Sequence, residues 1–265
     1  MPRFAANLSM LFTEVPLLDR FERAARAGFS NVELQSPYEV PAELLRDRLQ
    51  ANRLQMVLHN LPAGSDEAGK RGMACHPDRV QEFRAGVATA LRYASVLGVP
   101  QLNCLAGKAP AGVSPSLLHS TFVGNLRYAA EALAKAGLKL LIEPINNHDV
   151  PGFWLCRTDQ AVAILDEVGA ANAFVQFDVY HAQRSHGELA QTLQRYLPRI
   201  GHIQVADNPG RHEPGSGEIN YDFIFAHLDR IGYRGYIGCE YTPAGTTEAG
   251  LGWLEQARRS LRATA

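Results

Sequence analysis

Leu138-Lys139-Leu140-Leu141-Ile142-Glu143-Pro144-Ile145-Asn146-Asn147-His148-Asp149 is an apolar run of strand length that ends in a carboxylate. Pro144 stops the run at once, because it has no N–H to give to a ladder. Polar side chains crowd the turn that follows. Three later runs end similarly: Ala173-Phe174-Val175-Gln176-Phe177-Asp178, Ile200-Gly201-His202-Ile203-Gln204 and Tyr236-Ile237-Gly238-Cys239-Glu240. Strand ends that share one rim of a barrel bring those four side chains, Glu143, Asp178, Gln204 and Glu240, together.

Outward from this stretch, strand and helix signals alternate to both termini. Phe4 to Leu8, Asn31 to Leu34, Gln55 to His59 and Gln101 to Leu105 read as the first four strands. Between them, Leu17, Leu18, Phe21, Ala24 and Ala25 mark a helical stripe closed by Gly28. Ala42 to Asn52 and Asp78 to Leu97 read as further helices. Leu117, Phe122, Leu126, Ala129 and Leu133 mark a fourth helix, ended by Gly137. After the Glu143 strand, Thr158 to Val168 reads as a helix with Thr158 at its N-cap. Gly187 to Tyr196, Asp222 to Ile231 and Thr246 to Leu261 follow the next three strands. The loops 60–77 and 207–220 are long, a length that is uncommon unless a loop is functional or disordered.

Eight β/α units without a break in composition predict an α/β fold, a single (β/α)₈ barrel over residues 1–265. An open doubly wound sheet usually has fewer strands and a glycine-rich first turn. Here the first strand leads into Asn7-Leu8-Ser9-Met10, with no such motif.

The 265 residues carry a net charge of -1, which gives no electrostatic footprint for nucleic acid. No segment has the ~18 apolar residues that suggest a membrane span. Residues 1–16 read as a first strand and loop rather than a signal peptide. Cys75, Cys104, Cys156 and Cys239 are far apart, as expected of reduced thiols in a cytoplasmic protein. Cys239 is set opposite to Glu240 by strand alternation and reads as a core residue. Self-association is left open.

Side chains at the C-terminal strand ends of such a barrel face the active site. Three carboxylates there repel one another unless a cation is present. Oxygen ligands favour a hard divalent ion, Mg²⁺ first and Mn²⁺ second. His181, three residues past Asp178, is placed to swing back over the pocket and hydrogen-bond a substrate. His59 ends the third strand, where a histidine either lines the pocket or sits satisfied in the core. Lys108, Arg211 and Arg71 lie on glycine-bearing loops where a cation meets an anionic substrate or is simply solvated.

Glu143-Pro144-Ile145-Asn146, Asp178-Val179-Tyr180-His181 and the late Glu240 resemble the xylose-isomerase-like barrels, which include sugar-phosphate endonucleases and ketose 3-epimerases. Residues 4–12, 59–64, 103–108, 206–221, 238–241 and 246–251 are similar to the hydroxypyruvate isomerase family within that group. The resemblance spans nearly the whole chain. It implies isomerisation of hydroxypyruvate to tartronate semialdehyde, with a small hydroxy-keto acid as the substrate. It also implies that Glu143 and Glu240 are the acid/base pair, and that both bind the metal with Asp178 and Gln204. Gln204 stands where the epimerases carry a histidine, and Asp149 where they carry a second glutamate. Both departures argue against a hexose-sized epimerase. A sister branch acts on 2-oxo-tetronates, and these motifs do not separate the two. An abasic-DNA endonuclease would show more histidine ligands and a basic groove; a non-catalytic sugar-acid-binding barrel would have lost the carboxylates.

Overall fold

Eight parallel strands close a barrel in chain order, each hydrogen-bonded to the next and β8 to β1. The computed structural model describes residues 3–64 and 71–263, with side chains to residue 259. Residues 65–70, within the expected loop 60–77, and the chain ends lie outside the described residues.

The strands are β1 (Arg3–Asn7), β2 (Asn31–Leu34), β3 (Gln55–Asn60), β4 (Gln101–Cys104), β5 (Lys139–Ile142), β6 (Ala173–Asp178), β7 (Ile200–Val205) and β8 (Tyr236–Cys239). The helices are α1 (Leu17–Arg26), α2 (Ala42–Ala51), α3 (Val80–Leu97), α4 (Pro115–Lys135), α5 (Thr158–Val168), α6 (Val179–Ser185), α7 (Leu189–Tyr196), α8 (Tyr221–Arg230) and α9 (Gly252–Ala263). No described helix is long and apolar enough to cross a membrane.

The helix α4 shows how sequence builds the outer layer. Ser114 accepts a hydrogen bond from the Leu117 N–H at 3.3 Å, and Pro115 fills the first turn, where its missing N–H costs nothing. Leu118, Phe122, Leu126, Ala129 and Leu133 recur at helical spacing and are buried in the shell between strands and helices. Leu126→Ala is a change of the kind that costs about 2–5 kcal/mol. A smaller apolar cluster, Ala5, Val57, Leu58 and Leu141, fills the barrel's interior.

Strand register sets the rim. Asp178 pairs with Gln204, and Gln204 with Gly238, so these positions share one face of the barrel. Glu143 and Glu240 immediately follow β5 and β8.

Two local expectations are corrected. Thr158 is not the N-cap of α5: Arg157 holds the extended capping position, and the buried Thr158 hydroxyl pairs with His186 Nε2 at 3.2 Å. The helix expected at Gly187 to Tyr196 does not alone follow β6, because the stretch directly after Asp178 is helical too. It is a separate helix, α6, because the Asp178 carboxylate accepts the Tyr180 and His181 N–H groups and caps it.

Candidate active site

Glu143 is buried at the end of β5, and its Oε2 accepts from Asn103 Nδ2 at 2.9 Å. Glu240 is buried past the end of β8. Its Oε1 accepts from Gln35 Nε2 at 2.8 Å and Asn7 Nδ2 at 3.2 Å, and its Oε2 from Arg211 Nη2 at 2.6 Å. Asp178 uses Oδ1 to cap α6 and leaves Oδ2 buried with no hydrogen-bond partner among the described residues. Gln204 donates from Nε2 to Glu33 Oε1 at 2.7 Å and accepts at Oε1 from Gln176 Nε2 at 2.5 Å.

Arg211 owes its place to the loop after β7. The buried Asp207 carboxylate accepts the N–H groups of Asn208, Gly215 and Ile219, which folds residues 207–220 around it. Arg211 is held in the left-handed region at φ +57, an uncommon position for a residue with a Cβ. Its N–H donates to the Asp207 carbonyl at 3.0 Å and its carbonyl accepts from Thr242 at 2.9 Å. Its guanidinium lies 5.3 Å from the Tyr180 ring and 3.6 Å from Asp178 Oδ2.

His181 is oriented by the turn after β5. The Asn146 Oδ1 accepts the His148 and Asp149 N–H groups, which turns its Nδ2 toward Asp149 and, at 2.6 Å, toward His181 Nδ1. An Nδ1 that accepts leaves the ring proton on Nε2. That Nε2 faces the acids, 3.7 Å from Asp178 Oδ2 and 4.0 Å from Glu143 Oε1.

A cavity of about 160 Å³ opens at this rim, lined in part by Gln35, Arg71, Glu143, His181, Arg211 and Glu240. Leu61, Leu105, Ile145 and Val150 supply an apolar wall. A larger hollow of about 600 Å³ lies between the start of α5 and the α6–α7 region. It is an open surface groove away from the strand ends, and the converging acids mark the smaller cavity as the site.

Burial raises the pKa of Glu143, and the negative charges of Glu240 and Asp178 raise it further. Glu240 and Asp178 are also raised, chiefly by burial, with Arg211 pulling both back down. Burial, then the nearby Arg211, holds His181 well below the ordinary imidazole range. One contacting guanidinium against three buried carboxylates leaves the cluster short of positive charge. The orphaned Asp178 Oδ2 and the hard oxygen donors around it fit a divalent cation. Ligand atoms of Glu143, Asp178 and His181 all lie within 4.8 Å of one another. The proton on His181 Nε2 makes that ring a donor into the cavity rather than a ligand in this arrangement.

The structure brings together Glu143, Asp178, Glu240, His181, Arg211 and Arg71. Gly72, at φ +99, bridges to Ala106 with no room for a Cβ beside the Leu105 carbonyl, which brings Arg71 to the cavity. Gln204 stands beside Asp178 in register but does not line the cavity, its amide held by Glu33 and Gln176, and two further expected residues fall outside. His59 points away from the cavity: its ring packs edge-on against Tyr38 and its Nδ1 meets the Asn60 carbonyl, while the next residue, Asn60, lines the site. Lys108 is exposed beyond the lining; its backbone bridges to Phe153 and its carbonyl takes His76 Nε2 at 2.8 Å. Sequence reasoning missed Asn7, Glu33, Gln35, Asn103 and Asn146, which hold the acids and the histidine in place.

Residues 21–257 match a family model described as xylose isomerase-like TIM barrel, and the chain belongs to that family. It is 54% identical over 258 residues to the hydroxypyruvate isomerase of Escherichia coli (strain K12), covering 97% of this chain and 100% of that protein. It is 49% identical over 255 residues to a 2-oxo-tetronate isomerase of Cupriavidus necator, covering 96% and 98%. Likeness of that extent makes the chain an isomerase of the hydroxypyruvate isomerase family. Among solved structures, an AP endonuclease, family 2, from Brucella melitensis superposes with a TM-score of 0.94 at 43% identity, covering 97% of this chain and 99% of that one. An L-ribulose 3-epimerase superposes at 0.78 with 19% identity, covering 100% and 98%, and shares the fold.

Proposed function

We propose that this isomerase interconverts hydroxypyruvate and tartronate semialdehyde by proton transfer between adjacent carbons, using Glu143 and Glu240. The observation that carries the reading is that two buried carboxylates with raised pKa line one small cavity. They reach it from β5 and β8, three strands apart in a ring of eight. A general base near neutrality needs an environment of this kind.

One glutamate takes the proton from the hydroxyl-bearing carbon, leaving a planar enediolate. A proton then returns to the neighbouring carbon, and the hydroxyl proton passes from one oxygen to the other. The direction of reaction decides which glutamate is the base. His181 Nε2–H and the Arg211 guanidinium donate to the substrate's oxygens, and Arg71 faces its carboxylate. The apolar wall leaves a longer polyol chain without hydrogen-bond partners. Glu143, Asp178, Gln204 and Glu240 would hold the divalent cation, Mg²⁺ or Mn²⁺, which would supply a Lewis acid for the charge that develops on those oxygens.

The 2-oxo-tetronate relative favours a second reading, the same chemistry on a four-carbon acid. Proton NMR of the purified protein in D₂O with each substrate, with and without EDTA, separates the readings. Conversion of hydroxypyruvate, lost on verified metal removal and restored by Mg²⁺ or Mn²⁺, is the expected result, with Glu143→Gln and Glu240→Gln each slower by about 100-fold or more. Turnover of the 2-oxo-tetronate alone moves the assignment to the second reading. Full activity without metal removes the cation from the mechanism.

A further inference from the structure

Beneath the acids lies a second polar layer in the barrel interior. Glu33 on β2 is fully buried, and the hydrogen bonds to its carboxylate come from three donors on two other strands, Asn7 on β1 and His202 and Gln204 on β7. Oε1 accepts from Asn7 Nδ2 at 3.0 Å and from Gln204 Nε2 at 2.7 Å; Oε2 accepts from His202 Nε2 at 2.8 Å. The far nitrogen of His202 meets Gln101 Nε2 at 3.2 Å, which leaves the ring proton on the Glu33 side. Gly238 leaves room for this carboxylate: a Cβ there would stand 2.4 Å from each of its oxygens. The layer reaches the acids through Asn7 Nδ2, which also donates to Glu240 at 3.2 Å, and Gln204 stands in register beside Asp178.

We infer that Glu33 is the positioning residue that makes Gln204 serviceable as a ligand, by fixing its amide so that the carbonyl oxygen is turned away from Glu33; Gln176 Nε2 takes one lone pair of that oxygen at 2.5 Å, and the other is the one a cation would use. This rests on the proposed metal reading of the site. An amide is a neutral donor with two nearly interchangeable ends. A carboxylate on its N–H₂ end excludes the flipped orientation, since the flip would set oxygen against oxygen. It also draws charge onto the carbonyl end, as a carboxylate does for a metal-binding histidine.

Glu33→Gln tests this with little change of shape. The new amide oxygen faces Asn7 and Gln204, and its N–H₂ faces His202, whose proton moves to the other nitrogen as Gln101 turns over. The hydrogen bonds survive and the charge is lost. Mn²⁺ affinity is measured by electron paramagnetic resonance on wild type, Glu33→Gln, Gln204→Ala and the double variant, with melting curves in EDTA as the check on folding. We expect a 10–100-fold weaker Kd for Glu33→Gln, the range for an outer partner of a metal ligand. In the Gln204→Ala background the same change is expected to alter Kd by less than about 2-fold, because its effect runs through Gln204. Glu33→Asp, which keeps the charge, recovers part of the affinity. An equal loss in both backgrounds means that Glu33 acts through its field on the whole cluster, and the inference fails. So does a Glu33→Gln variant that binds as wild type does. If Glu33→Gln does not fold, His202→Phe, which withdraws the donor on Oε2, takes its place in the cycle. A wild type that binds no Mn²⁺ overturns the metal reading along with the inference; the other failures leave that reading standing.

Discussion

Replacing His59 with phenylalanine isolates one buried titration from the rest of the molecule. The imidazole is fully buried, and its pKa is pushed from the ordinary 6.5 down to about 4 by burial, with the Asn60 carbonyl opposing. The unfolded chain therefore takes up a proton as the pH drops below 6.5, while the folded protein does not until about 4. Stability from this group is intact above 6.5, declines between 6.5 and 4, and is fully lost below that. At about 1.4 kcal/mol per unit, the loss is roughly 2 kcal/mol at pH 5 and about 3 kcal/mol at pH 4. For a chain of this size 2 kcal/mol is roughly 4–8 °C in Tm.

Phenylalanine keeps the edge-on contact with Tyr38, and the Asn60 carbonyl keeps the Tyr38 hydroxyl at 2.5 Å. The variant should melt near wild type at pH 8 and gain on it by roughly 4–8 °C at pH 5. His181 shifts in the same sense as His59 but is present in both proteins, so the difference curve cancels it. The assay is thermal melting by circular dichroism at pH 8, 7, 6 and 5. A difference curve that stays flat, or slopes the other way, refutes the electrostatic reasoning. Because His59 lies outside the cavity, kcat/KM should stay within about 3-fold, a change of under 1 kcal/mol; a collapse of activity in a well-folded variant would refute its placement.

Asn146→Asp removes the N–H₂ that faces His181 Nδ1, so the ring proton moves to Nδ1 and the donor into the cavity disappears; kcat/KM should drop about 100-fold, with the melting curve as the check on folding. Arg71→Met should raise KM for the anionic substrate about 10-fold or more and leave kcat nearly unchanged, since a charge-assisted hydrogen bond made equally in ground and transition states affects binding alone. Gly238→Ala forces a methyl against the Glu33 carboxylate and should cost about 1–3 kcal/mol in urea unfolding, where wild-type stability would show that the second layer yields without strain.

The alternation of strands and helices was legible because each unit carries its own punctuation: Gly28, Gly98 and Gly137 after helices, Pro144 after β5. The four rim residues were legible because each closes an apolar run. The helix α6 was not, because it depends on a side chain reaching back: Asp178 reads as a strand-end acid and also serves as the cap. Arg211 was read only as a loop cation, since nothing local announces that Asp207 will gather its neighbour's N–H and two distant ones and hold the loop over Glu240.

The second layer had a signal that reasoning from strand ends alone passes over. Glu33 and Gln35, Gln101 and Asn103, Gln176 and Asp178, His202 and Gln204 are polar pairs two residues apart, within or just past four strands. The residue between each pair, Leu34, Leu102, Phe177 or Ile203, is buried in the outer shell. Side chains alternate across a strand, so a polar pair at this spacing with an apolar residue between points wholly inward. The same parity decides between His59 and Asn60. His59 pairs with Leu34 on one side and Leu102 on the other, both outward-facing, whereas Asn60 pairs with the inward Asn103. A histidine at a strand end is thus a weak sign of an active site until its register is known, because a slip of one residue moves it from the cavity to the shell.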